Sequence, residues 1–465
     1  MTSASTTARK GGRWIERWDP EDEELWAAGG RRIAHRNLLF SVLSEHVGFS
    51  VWTLWSVLVL FMGPEYGIDP AGKFFLAAAA TAVGSVVRVP YTFAVARFGG
   101  RNWTVVGALM LLLPTIAAAV VMEPGTSYGT FLAVAALTGV GGGNFASSMT
   151  NINSFFPLRR KGWALGLNAG GGNIGVPVVQ LAGLLVIGTA GAGHPRLLLA
   201  VYIPLIVVAA VLAALFMDNL APVRNDTGAA ASAVRDGHTW IMSLLYTGTF
   251  GSFIGYSFAF GLVLQSQFAR TPLQAASLTF VGPLLGSLAR PVGGRLADAY
   301  GGARITWWNF LAMAAATAVI VLASVRESLA LFSAAFVALF LLTGLGNGST
   351  YKMVPAIHAA RAAAKGLTGE AAAAYARRLS GAAMGLIGAV GALGGLGVNL
   401  AFRQSFLTRG TGTPAFVTFL AVYAVCFAVT WAVYLRRPAP APAPAARTEA
   451  EPQFARGAAR PGRTA

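Results

Sequence analysis

The sequence predicts an all-α membrane protein of twelve transmembrane helices in two pseudo-symmetric six-helix bundles, and three observations carry that prediction. Of 465 residues, 55% are hydrophobic and only 11% charged, whereas a soluble protein is about one quarter charged. Twelve uncharged apolar stretches reach the ~20 residues that a helix needs to cross ~30 Å of hydrocarbon. Marks in the first half return in the second at a nearly constant spacing, the trace of a duplicated unit.

The N-terminal segment, residues 1–36, is polar and mixed in charge and lacks the apolar core of a cleavable signal peptide, so it is expected to stay cytoplasmic. Spans follow near 38–62, 74–97, 103–122, 128–155, 163–189 and 197–217, giving a first bundle over 37–217. A cytoplasmic linker, 218–238, leads to a second bundle over 239–436, with spans near 239–265, 273–293, 304–324, 329–355, 380–402 and 415–435. Runs such as Leu197–Phe216 do not alternate in polarity, which excludes transmembrane strands. Residues 356–379 read as a long connection, and 437–465, rich in Pro and Ala and poor in large apolar residues, as a disordered cytoplasmic tail.

The net charge of +17 alone would fit a nucleic-acid binder, but a mean hydropathy of +0.60 does not, so no nucleic-acid partner is expected. The partner surface is the lipid bilayer. Of the 35 Lys and Arg residues, 26 fall in the two terminal segments and the connections on their side. The opposite connections hold six: Lys73, Arg196, Arg270, Arg326, Arg403 and Arg409. That bias predicts a multi-pass protein of the cell (inner) membrane with both termini cytoplasmic. Cys426 is the only cysteine and the five histidines are scattered, so no metal, no cofactor and no enzymatic activity are expected.

The repeat is explicit. Arg88 before Pro90 is matched by Arg290 before Pro291, 202 positions on; Gly99-Gly100 by Gly301-Gly302, again 202; and Asn144 by Asn347 at 203. Parallel halves place a substrate site between them.

Removing the 26 and the six leaves three basic residues inside spans: Arg88, Arg290 and Lys352. An Arg at the bilayer centre costs about 2.5–3.5 kcal/mol on insertion scales and cannot lose its proton. Glu45 is the one acid inside a span, and one carboxylate cannot neutralise two arginines on different helices. A small anion that enters and leaves supplies the missing charge; the alternative is snorkelling or bonding to helix carbonyls. The planar fork of arginine favours a planar oxyanion or carboxylate over a halide. Lys352, near the end of its span, is expected to reach the interface.

At these residues the sequence resembles the nitrate/nitrite porter family, the NarK-type transporters of the major facilitator superfamily. The likeness covers nearly all of 35–437. It is strongest in GGGNFASSMTNINSFFP (141–157), GLNAGGGNIGVP (166–177), GTFGSFIGY (248–256), GNGSTYKMVP (346–355) and the glycine-rich run 381–397. The resemblance implies the major facilitator fold and nitrate and nitrite as the transported anions, gripped by Arg88 and Arg290. It implies contacts from Asn173 and Tyr256 and an aromatic enclosure from Phe49, Phe145 and Phe260. It also implies that the glycine-rich helices, with Gly170, Gly171, Gly172 and Gly175 in one half and Gly388, Gly391, Gly394 and Gly395 in the other, change contact during alternating access. Static packing is the alternative for those glycines, since small faces let helices approach closely.

The expected mechanism is a rocker switch acting as a monomer, the halves pivoting on one central site. Two uncompensated arginines would slow the return of an empty carrier, which favours nitrate/nitrite exchange. Nitrate/H⁺ symport is the second reading and would use Glu45 with neighbouring His46. A facilitator for another small anion is a third.

Overall fold

The computed structural model describes residues 9–10, 13–223 and 225–436; the expected tail over 437–465 lies outside the described residues. Among the described residues, twelve helices are long and apolar enough to cross a membrane. In chain order the first six are α1 (Glu23–Phe61), α2 (Pro70–Phe98), α3 (Gly100–Val121), α4 (Tyr128–Phe155), α5 (Arg159–Ala190) and α6 (Pro195–Phe216). The second six are α7 (Gly237–Phe268), α8 (Pro272–Tyr300), α9 (Gly302–Val325), α10 (Leu329–Ala364), α11 (Gly369–Arg409) and α12 (Thr413–Leu435). The protein is therefore a multi-pass helical membrane protein, with both described ends at one face.

Several helices outrun their apolar cores. The connection expected over 356–379 shrinks to four residues, because α10 runs on to Ala364 and α11 begins at Gly369. Alanine-rich sequence on both sides, such as 371–374, has the highest helix propensity, and helix formation does not require hydrocarbon around it. Gly366 at φ 72° and Gly369 at φ 57° turn the chain between them, in a region that side chains rarely adopt.

The repeat seen in the sequence is also a repeat of packing. A Cβ on Gly142 of α4 would come within 2.7 Å of the Gly84 carbonyl oxygen on α2, and a Cβ on Gly344 of α10 within 2.0 Å of the Gly286 carbonyl oxygen on α8. Both partners are offset by 202 residues. Each half thus brings its arginine-bearing helix, α2 or α8, into backbone contact with the helix that carries its Asn144 or Asn347. Without a hydrophobic drive between helices in lipid, such close van der Waals crossings are what hold a bundle together.

At the face away from the chain ends the two halves are in direct contact. Phe74 of α2 stacks on Phe402 and Phe406 of α11 at ring separations of 5.3 and 5.2 Å. Gln265 of α7 donates to the Leu60 carbonyl of α1 at 3.2 Å, and Gln180 of α5 to the Ser257 carbonyl of α7 at 2.8 Å. At the other face the segment before α1 is pinned to the first half. Trp14–Ile15 pairs in parallel with Asn219–Leu220, Trp18 donates to the Ser154 carbonyl at 3.2 Å, and Trp26 meets Phe156 edge-on. Arg36 forms an ion pair with Asp218, whose backbone N–H donates to Asn37 at 2.8 Å.

Candidate functional site

Arg88 and Arg290 are 1% and 7% exposed, deep in α2 and α8. Arg88 Nη1 donates to the Gly388 carbonyl oxygen of α11 at 3.0 Å, while Nε and Nη2 are buried without a hydrogen-bond partner among the described residues. Arg290 Nη2 donates to the Tyr246 hydroxyl at 3.3 Å and its Nη1 is buried without a partner. Neither guanidinium is in an ion pair among the described residues. The carbonyl bonding foreseen as an alternative therefore accounts for one N–H of Arg88 and leaves its fork open.

Aromatic rings join the two arginines. The Arg88 guanidinium lies over Phe145, Trp52 and Phe250, at 4.7, 5.1 and 5.1 Å from their centroids. Phe250 stacks on Tyr246 at 5.1 Å and 8° between planes, and Tyr246 holds Arg290, which also lies 5.7 Å over Tyr351. Cation–π contacts are worth more once water is excluded, and they leave the N–H edges free to bind an anion in the ring plane.

Glu45 of α1 joins this group. It is fully buried; one carboxylate oxygen accepts from Ser148 Oγ at 2.5 Å and Asn168 Nδ2 at 2.7 Å, and the other has no partner. It acts electrostatically with both Arg88 and Arg290.

The sequence-predicted residues divide by helix face. Phe145 is on Arg88, and Phe49 meets Phe145 edge-on at 5.9 Å. Asn173 is fully buried with both amide atoms unpartnered. Tyr256 and Phe260 are not brought to the arginines. The Tyr256 hydroxyl bonds to Tyr423 at 2.5 Å among Phe336, Phe340 and Phe419, and Phe260 stacks on Phe336 at 4.4 Å. The residues at the arginines are Tyr246 and Phe250, an i, i+4 pair like Tyr256 and Phe260 but ten residues earlier. Tyr256 and Phe260 lie more than two turns further along α7, beyond the π-helical segment Thr247–Gly251 that changes the helix phase, and face the packed interior of their own half. The Tyr-x-x-x-Phe spacing beginning at Tyr246 was a signal available in the sequence.

The glycines pack mainly within their own halves. Added Cβ atoms on Gly171, Gly172 and Gly175 would strike Val42, Glu45 and the His46 carbonyl of α1; those on Gly391, Gly394 and Gly395 would meet Tyr246, Gly251 and Ile254 of α7. Gly388 alone of these eight faces the other half, where an added Cβ would lie 4.0 Å from Arg88 and Phe145, and a Cβ on Gly170 would have nothing within 4 Å. Lys352 pairs with Asp298 at 2.7 Å, with both side chains well exposed.

Helices from two halves, each with a buried arginine aimed into the seam, define a membrane carrier. Residues 46–396 match the Major Facilitator Superfamily, and the chain belongs to it. The solved nucleoside transporter NupG has the same fold, with a TM-score of 0.58 at 13% identity over 86% of this chain and 100% of that one. Within the superfamily the chain belongs to the NarK-type nitrate/nitrite porters. It is 37% identical to the nitrate/nitrite transporter NarU of Escherichia coli K12, covering 92% of this chain and 98% of the relative. It is 31% identical to the probable nitrate/nitrite antiporter NarK2 of Thermus thermophilus over the same shares.

Proposed function

We propose that this protein carries nitrate and nitrite across the cell membrane by exchange, its two halves rocking about one anion held between Arg88 and Arg290. The observation that carries the reading is the pair of buried guanidinium groups, one from each half, with three N–H-bearing nitrogens unpartnered between them. A planar oxyanion accepts from both forks, and an aromatic surround of Phe145, Trp52, Phe250 and Tyr351 excludes water and strengthens those bonds. The anion also removes the repulsion between the arginines, so binding draws the halves together.

Exchange follows from the charge. A site that releases its anion exposes two like charges in low dielectric, and refilling it from the other side is the easier route back. The relatives named as nitrate/nitrite transporters and antiporter support both the substrates and this mode. The excess of basic residues on the face that carries both chain ends supports a cytoplasmic position for that face. The site is complete within one chain, so the monomer is the working unit.

The test is uptake of labelled nitrate into proteoliposomes loaded with nitrite, nitrate, formate or buffer. Uptake stimulated by internal nitrite or nitrate is expected. Equal stimulation by formate, or none by nitrite, would falsify the assignment.

A further inference from the structure

A second concavity lies at the face that carries both chain ends. It encloses about 710 Å³, the size of a site for an organic ligand, and its walls are the linker helix Thr227–Arg235, the end of α10 and the start of α11. Every residue that lines it lies between Ser232 and Leu379, in the linker or the second half, so it is outside the seam that holds the arginine pair. The sequence explains the space. Alanines extend α10 and α11 beyond their apolar cores, but Ala371 and Ala374 fill little of the angle between those extensions and the linker helix, and Leu367 in the turn and Tyr375 on α11 close it.

Among the described residues the cavity is lined by four cations, Arg235, Arg361, Lys365 and Arg378, and by one acid, Asp236. Asp236 pairs with Arg361 and caps α7 by accepting from the His238 N–H at 3.0 Å; Asp226, at the start of the linker helix, pairs with Arg378. Four cations against two acids leave a formal excess of two. Arg235 and Lys365 carry it: neither has a carboxylate partner among the described residues, and Lys365 lies 4.8 Å over the Tyr375 ring. Arg361 spends only Nη1 on its acid, and Arg378 spends Nε and Nη2, so both keep donors for a ligand. In the wall, His358 is 4% exposed and its Nδ1 is buried without a partner among the described residues. Basic residues that serve membrane orientation need neither a concavity nor a buried imidazole, whereas a buried ring nitrogen calls for a partner.

We propose that this cavity is a second anion site, separate from the transport site, for a phosphate-bearing molecule. The cations converge from three elements: Arg235 ends the linker helix, Arg361 and Lys365 close α10, and Arg378 stands on α11. A tetrahedral phosphate directs its oxygens to several sides at once and suits such a ring, while a planar anion meets one fork at a time. A phosphate monoester carries about 1.5 to 2 negative charges at pH 7, which matches the excess. Leu367, Ala371, Ala374 and Leu379 give the remaining space an apolar lining for an organic moiety. A soluble metabolite and a lipid headgroup present the same phosphate chemistry. Bound there, the anion bridges the linker helix to α10 and α11 and adds to the ties made by Asp226 and Asp236, so the linker helix opens less readily. None of this depends on what the arginine pair carries.

The first probe is inorganic pyrophosphate, added to the full chain in uncharged detergent at low salt. The wild type should bind about one equivalent, more weakly as salt is raised, and amide hydrogen exchange over residues 227–235 should slow. The double variant Arg235→Gln, Lys365→Gln should bind at least about tenfold more weakly, as for a lost hydrogen bond to a charged group, and should lose the slowing. Both side chains are exposed, so the variant should melt as the wild type does. Arg88→Lys should bind pyrophosphate normally, which separates this site from the transport site. The second probe is phosphatidic acid in phosphatidylcholine nanodiscs. Slowed exchange with this lipid but not with pyrophosphate, again lost in the double variant, identifies a lipid headgroup as the source of the phosphate and supports the site. The proposal is overturned if neither probe slows exchange over 227–235, if binding survives in the double variant, or if binding is lost in Arg88→Lys.

Discussion

Arg88 of the first half donates across the molecular seam to the carbonyl oxygen of Gly388 in the second, at 3.0 Å. One arm of the guanidinium is thereby spent on fixing its plane against α11, and Nε and Nη2 stay available. Lysine at this position keeps the charge but loses the planar fork that offers an anion parallel N–H bonds while another arm holds the Gly388 carbonyl. Arg88→Lys should lower nitrate transport by about 10–100-fold, the loss of one hydrogen bond to a charged group at ~1.5–3 kcal/mol. Thermal stability in detergent should change little. The same substitution at Arg290 should act equally, and full uptake in both variants would take the arginines out of the site.

Tyr246 and Tyr256 separate a site hydroxyl from a structural one. Tyr246→Phe removes the hydroxyl that Arg290 bonds, while its ring remains stacked on Phe250. Nitrate affinity should fall by about tenfold, as for a lost hydrogen bond to a charged group. Tyr256→Phe leaves Tyr423 bonded to Ser252 at 2.7 Å, so no buried hydroxyl is orphaned. Binding isotherms for the two variants should differ, with Tyr256→Phe within about twofold of the wild type.

That contrast shows what the sequence discloses and what it withholds. The spans were legible because each needs only a long uncharged window, and Arg88 and Arg290 because their cost in hydrocarbon is independent of neighbours. The carrier class followed from those two facts and the 202-residue repeat. Which tyrosine on α7 meets Arg290 depends on helix phase, and two Tyr-x-x-x-Phe pairs ten residues apart match the same pattern with different faces. Pairing of Trp14–Ile15 with Asn219–Leu220 was invisible, since two-residue strands have no periodicity and their partners are some two hundred positions away. Glu45 was visible as an acid in a span, but Ser148, Asn168 and Gly172, which accommodate it, come from other helices.

Glycines in one run on α5 should respond to alanine with opposite signs. At Gly172 a Cβ would lie 2.3 Å from Glu45 Oε1 and 2.6 Å from its Cδ and Cγ, so the whole side chain must move. Gly172→Ala should destabilise by about 1–3 kcal/mol, as overpacking does. At Gly170 nothing lies within 4 Å, so Gly170→Ala should gain up to about 1 kcal/mol from helix propensity. Thermal melting in detergent distinguishes them. A stabilised Gly172→Ala would mean that Glu45 is not held where it is described.

The linker between the halves is tied to α11 by Asp226, which accepts two hydrogen bonds from Arg378 and also caps the short helix Thr227–Arg235 by accepting from the Ala229 N–H at 2.8 Å. The bond from Arg378 is the first cause that holds the Asp226 carboxyl down to about 2, with the Ala229 N–H adding to it. A depressed carboxyl stabilises the folded state above its unfolded pKa of about 3.9, and that contribution fades as pH falls from about 4 through 2. Between about pH 5 and 8 the tie should be constant, so any pH dependence of transport in that range arises elsewhere. Asparagine caps a helix as well as aspartate does but cannot pair with Arg378; alanine does neither. Amide hydrogen exchange over residues 227–235 should therefore rank wild type slowest, Asp226→Asn next and Asp226→Ala fastest. If Asn and Ala exchange equally fast, the ion pair and not the cap holds the linker helix; if Asn matches the wild type, the cap alone does.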